Sequence, residues 1–132
     1  MGAWGVGTFE NDDAGDWVYQ LEEANDLDLV RGTLLAAADP EGYLDTPTCS
    51  MALAAAEVVA ALAGRSAPDL PEEVRTWVGA HRLTLPPDLL ALSVRALDQV
   101  AAGSELKELW AESEESGTWV DRLQELRSRL AT

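Results

Sequence analysis

Residues 46–64 read TPTCSMALAAAEVVAALAG. Thr46 followed by Pro47 is an N-cap followed by proline at the first helical position, where its missing N–H costs nothing. Alanine and leucine are the strongest helix formers, and they fill most of the sixteen positions that follow. Gly64 then supplies the residue that ends helices in a left-handed turn. The stretch predicts a helix over 47–63. Its alanine surface lets other helices approach closely, which makes it the expected centre of the fold.

The same grammar runs outward in both directions. Towards the N-terminus, Ala14, Trp17, Val18, Leu21 and Ala24 recur at spacings of three and four, one helical stripe over 11–24. Asn11, Asp12 or Asp13 can cap it, and Asp16 adds negative charge where the helix dipole favours it. Leu27, Val30, Leu34 and Leu35 form the stripe of a second helix, Asp28–Ala38, with Asp26 or Asp28 at its start. Asp39-Pro40 and Glu41-Gly42 are turn chemistry.

Beyond Gly64, Pro71 opens a short helix with Val74, Trp77, Val78 and His81 on one side. Leu83 to Leu85 precede a proline and should be extended. Pro87 begins the next helix, which Gly103 stops. Ser104 caps another, carrying Leu106, Leu109 and Trp110. Thr118 with Asp121 approximates a capping box. The last helix follows with Trp119, Leu123, Leu126 and Leu130 as its seam and Glu125 and Arg129 paired at i,i+4.

No stretch reads as a strand longer than three residues, and no repeat or low-complexity linker interrupts the pattern. The expected fold is all-α: a single compact helical bundle of six to seven helices over 1–132, with no significant sheet. The length of 132 residues and a 47% hydrophobic content suit one globular domain.

The chain carries nine basic and 24 acidic residues, a net charge of −15. Ten of those fifteen excess negative charges fall within residues 10–45. A phosphate backbone or an anionic membrane requires the opposite sign, so neither nucleic acid nor membrane is an expected partner. The most apolar run is too short to span a bilayer and is interrupted by Glu57. No secretory leader is evident, and Val6 stands where N-myristoylation requires Ser or Thr. One cysteine, Cys49, forms no internal disulfide. A cytoplasmic protein is the expectation.

The residues that chemistry would use are few. Glu10, Asp12, Asp13 and Asp16 form an acidic knot, but no calcium-loop or H-E-x-x-H spacing is present, and a single histidine excludes a multi-histidine zinc site. Neither a metal nor another cofactor is expected. Glu57 is the one charge in its apolar run. Ser50, Ala54, Ala61 and Gly64 share its side of the helix, which places it at the exposed edge of a small-residue stripe. Cys49 reads as buried and inert, and His81 as a residue that caps or packs at the end of its helix. Gly2, Gly5 and Gly7 match no phosphate-loop pattern. They let a turn lay Trp4 and Phe9 against the bundle, with Asn11 at its end.

GAWGVGTFENDDAGDW at 2–17 resembles the opening signature of an uncharacterised bacterial family, domain of unknown function 4259. AAAEVVAALAG at 54–64 and SELKELW at 104–110 are similar to it as well, together with Trp119 and the closing Arg129-Leu130. The resemblance marks Trp4, Gly5, Gly7, Phe9, Asn11, Asp12, Ala14 and Asp16. It implies a small bacterial single-domain protein and brings no activity with it.

Three functional readings follow. The first is a non-enzymatic binding or regulatory module whose acidic N-terminal third meets a basic partner, for example an immunity-type inhibitor of a basic toxin. Its candidate binding residues are Trp4, Phe9, Glu10, Asn11, Asp12, Asp13, Asp16 and Glu57. The second is a metal-assisted or carboxylate-based hydrolase using the acidic knot and Glu57; the absence of a nucleophile–base pair counts against it. The third is a structural module without partner chemistry.

Overall fold

The structure, a computed structural model, describes residues 8–81 and 85–131. Seven helices occur among them: α1 (Asp12–Glu23), α2 (Asp28–Ala38), α3 (Thr46–Leu62), α4 (Glu72–Ala80), α5 (Pro87–Ala102), α6 (Glu105–Ala111) and α7 (Ser116–Leu130). No strand is found among the described residues. Trp4 and the glycines before Thr8, like Leu83 and Thr84, lie outside them.

Helix α3 is the axis of the bundle and packs against every other helix. Every residue from Ala52 to Ala60 is buried. A helix apolar on all sides can be satisfied only by neighbours on all sides. The other six present one stripe each: Ala14, Trp17, Val18 and Leu21 from α1, Leu89, Leu92, Ala96, Leu97 and Val100 from α5, and Trp119, Leu123, Leu126 and Leu130 from α7.

Two buried tryptophans fix helix order through their indole N–H groups, which need an acceptor once dry. Trp17 on α1 donates to Thr33 Oγ1 of α2 at 2.9 Å, and Thr33 passes the bond on to the Leu29 carbonyl at 2.7 Å. Trp77 on α4 donates to the Ala24 carbonyl at 3.0 Å. Ala24, expected inside the first helix, is its half-buried C-cap. Its carbonyl has no intrahelical donor, and that leaves it available to Trp77.

The caps follow the sequence in most places. Asn11 Oδ1 accepts the Ala14 N–H at 2.8 Å, and Ser104 Oγ accepts that of Lys107 at 3.1 Å. Gly64 ends α3 with φ of +85°, alone among the described residues in that region of backbone space. Two starts differ from expectation. Asp45, not Thr46, caps α3: its carboxylate accepts the Thr48 N–H at 3.0 Å, and Thr46 is the first helical residue with its hydroxyl buried and unpartnered. Helix α7 begins at Ser116, two residues before the expected Thr118 cap, so Gly117 lies inside its first turn.

Candidate functional site

Glu57 is not at an exposed edge. It is 5% exposed, because α3 is covered on every side and has no edge to offer. Its partner comes from the far end of the chain. Arg129 Nη1 donates to Glu57 Oε1 at 2.9 Å and Nη2 to Oε2 at 3.0 Å, a bidentate pair.

The expected Glu125–Arg129 pair also forms, through Nε at 2.6 Å and Nη2 at 2.8 Å. Nη1 donates a second time, to the Arg65 carbonyl at 3.0 Å. All five guanidinium N–H donors are thereby used. Burial works against the charge on Arg129, but its hydrogen bonds to Glu57 and Glu125 outweigh it and raise the guanidinium pKa. Arg65 returns the contact by donating to the Arg129 carbonyl at 3.1 Å. Glu57 is thus the anchor that ties the end of α7 to the end of α3.

Glu57 also lines a pocket together with residues of the opening motif. A pocket of about 440 Å³ is lined by Thr8, Phe9, Glu10, Glu57, Asp69 and Arg122, among others. Of these, Arg122 Nη2 donates to Asp69 at 2.8 Å. Of the residues singled out from sequence, Phe9, Glu10 and Glu57 meet here. Asn11, Asp12, Asp13 and Asp16 do not line it. Trp4 lies outside the described residues. Asn11 is occupied with the start of α1, since its Nδ2 also donates to the Thr8 carbonyl at 3.1 Å.

The acids of α1 have a different setting. Asp12, Asp16 and Glu23, with the exposed Tyr19, stand opposite the buried stripe of Trp17 and Leu21. Among the described residues, no ion pair includes an acid of α1. The arginines are spent elsewhere: Arg31 on Asp88, Arg95 on Asp39, Arg122 on Asp69 and Arg127 on Asp98. Among the described residues, the acids of α1 receive no counter-charge from an ion pair.

A second depression, of about 430 Å³, opens between the end of α1 and α4 and was not foreseen in the sequence. Glu22, Glu72, Glu73, Thr76, Trp77 and His81 line it. The His81 ring stacks on Trp77 with centroids 4.3 Å apart and planes at 19°. Its Nδ1 lies 2.9 Å from the Trp77 carbonyl oxygen. A carbonyl can only accept, so Nδ1 carries a proton and donates it there.

Cys49 is buried at the start of α3, and burial pushes its thiol up from 9.0 to about 11. It is the inert cysteine expected, with Ser104 and the Leu106 backbone as its polar neighbours rather than His81. No three His, Cys, Asp or Glu side chains among the described residues converge as metal ligands, and no helix there is long and apolar enough to cross a membrane.

The family model for a domain of unknown function, DUF4259, matches residues 2–122. The chain belongs to the DUF4259 family. No curated protein and no solved structure matches it. The DUF4259 segment contains the residues named around both depressions, whereas Arg129, which holds Glu57, lies beyond its end.

Proposed function

We propose that this DUF4259 protein is a non-enzymatic bacterial binding or regulatory module that docks a basic protein partner through its acidic N-terminal third. An immunity-type inhibitor of a basic toxin is one concrete form. The observation that carries the reading is the exposed acid of α1, which enters no ion pair among the described residues while arginines elsewhere are matched to acids of other segments. Like charges so placed repel one another, and a cationic partner relieves that repulsion on docking. They also steer its approach.

The catalytic alternative has less support. Glu57, the one buried carboxylate among the described residues, is committed to Arg129, and Cys49 is held as a protonated thiol. The test is the association rate of a captured partner against ionic strength, with Asp13→Asn/Asp16→Asn beside the native protein. Steered docking slows steeply with salt and weakens in the double variant. An association rate indifferent to both refutes the reading.

A further inference from the structure

We infer that the cavity lined by Glu57 and Arg122 is a binding site for a free α-amino acid with an apolar side chain. The inference goes beyond the basic-partner reading and does not rest on it.

Four segments of the chain line one space of about 440 Å³: Phe9 and Glu10 before α1, Glu57 on α3, Asp69 in the link to α4, and Arg122 on α7. Small-molecule sites occupy about 300–1,000 Å³, so the volume suits a compact ligand. Stability alone does not call for a carboxylate in this lining. A buried ion pair is often replaceable by apolar side chains without loss. The otherwise apolar middle of α3 nevertheless keeps Glu57, and the end of α7 supplies Arg129 to neutralise it.

The hydrogen bonds leave capacity on both charged groups of the lining. Among the described residues each Glu57 oxygen accepts one N–H, from Arg129. A carboxylate oxygen has two acceptor positions, so each can take a further donor. Arg129 cannot serve a ligand itself, because its five N–H donors are all engaged. Arg122 is the converse case. Its hydrogen bond among the described residues is the one from Nη2 to Asp69, which leaves Nε and Nη1 with N–H groups to donate.

The lining therefore offers an anionic acceptor and a cationic donor, each already offset by a partner of opposite sign. A ligand of one charge would unbalance one pair or the other. A zwitterion suits both: its ammonium donates to Glu57 and its carboxylate accepts from Arg122, as charge-assisted hydrogen bonds. Phe9, Ala67 and Pro71 add apolar surface for the rest of the molecule.

The test is a titration of the isotope-labelled native protein with leucine at millimolar concentration, followed residue by residue by amide NMR, beside leucine amide and N-acetyl-leucine. The prediction is saturable shifts centred on Phe9, Glu57, Asp69 and Arg122. Removing either charge of the ligand should weaken binding at least about tenfold, the loss of one charge-assisted hydrogen bond. Arg122→Gln should do the same. It breaks only an exposed ion pair, so the fold should persist in a thermal melt. Arg127→Gln breaks a comparable exposed pair with Asp98 and does not line the cavity, so it should bind as the native protein does. Absence of saturable shifts with leucine, valine, methionine and phenylalanine alike overturns the site. So does equal binding of leucine amide, or full affinity in Arg122→Gln. None of these results bears on the basic-partner reading, which the salt dependence of docking tests separately.

Discussion

Arg129 grips Glu57 with two parallel hydrogen bonds of 2.9 and 3.0 Å across 72 residues of sequence. The side chains are 14% and 7% exposed, so the pair is shielded from the water and salt that make surface pairs weak. Removing Arg129 strands the Glu57 carboxylate in the core, whereas removing Glu57 leaves Arg129 its Glu125 partner. Arg129→Ala should lower stability in urea unfolding by about 3–5 kcal/mol, and Glu57→Ala by less. The double variant Glu57→Met/Arg129→Met should lose much less than the sum, because no unpaired charge remains. A loss below about 1 kcal/mol for Arg129→Ala would place the pair among exposed ones.

Asp45 predicts a pH dependence at the acid end. Its hydrogen bond to Thr48 holds the carboxyl below its usual value of 3.8. A lowered folded-state pKa contributes stability above the unfolded value and loses it as pH falls through the folded value. Asp45→Ala should cost about 1 kcal/mol near neutral pH, and the difference from the native protein should shrink as pH drops below 3.8. A constant difference down to full protonation contradicts the cap.

Cys49 makes the matching prediction at the alkaline end. Its folded-state pKa, about 11, is raised from 9.0, so its contribution is intact below 9.0 and is lost as pH rises from there to about 11. Cys49→Ala should lessen the alkaline loss of stability. In the native protein the thiol should react with a disulfide reagent only as fast as the chain opens. Immediate stoichiometric labelling of folded protein at neutral pH would show an accessible thiol.

The helices were legible because each peripheral one keeps a single apolar stripe at spacings of three and four, and because Asn11, Ser104 and Gly64 mark ends by local chemistry. The place of α3 at the centre was legible for a related reason: an alanine surface permits neighbours. Glu57 was misread because a helix-wheel argument assumes one wet side, and α3 has none. Nothing near Glu57 in sequence announces Arg129. The Glu125–Arg129 spacing was visible, but a guanidinium with five donors had more to give than one neighbour could accept. The α1–α4 groove was illegible for the same kind of reason. Glu22 and Glu72 become neighbours only through the indole of Trp77 reaching the carbonyl of Ala24.

The acidic surface of this protein is proposed to recognise a cationic partner. Calorimetric titration with hexa-arginine, at low and at physiological ionic strength, tests it most directly. The native protein should stand beside a variant with Asp12→Asn, Asp16→Asn, Glu22→Gln and Glu23→Gln. Saturable binding that weakens steeply with salt and is largely lost in the neutralised variant is the predicted result. No binding to the native protein, or equal binding by both proteins at both salt concentrations, contradicts it.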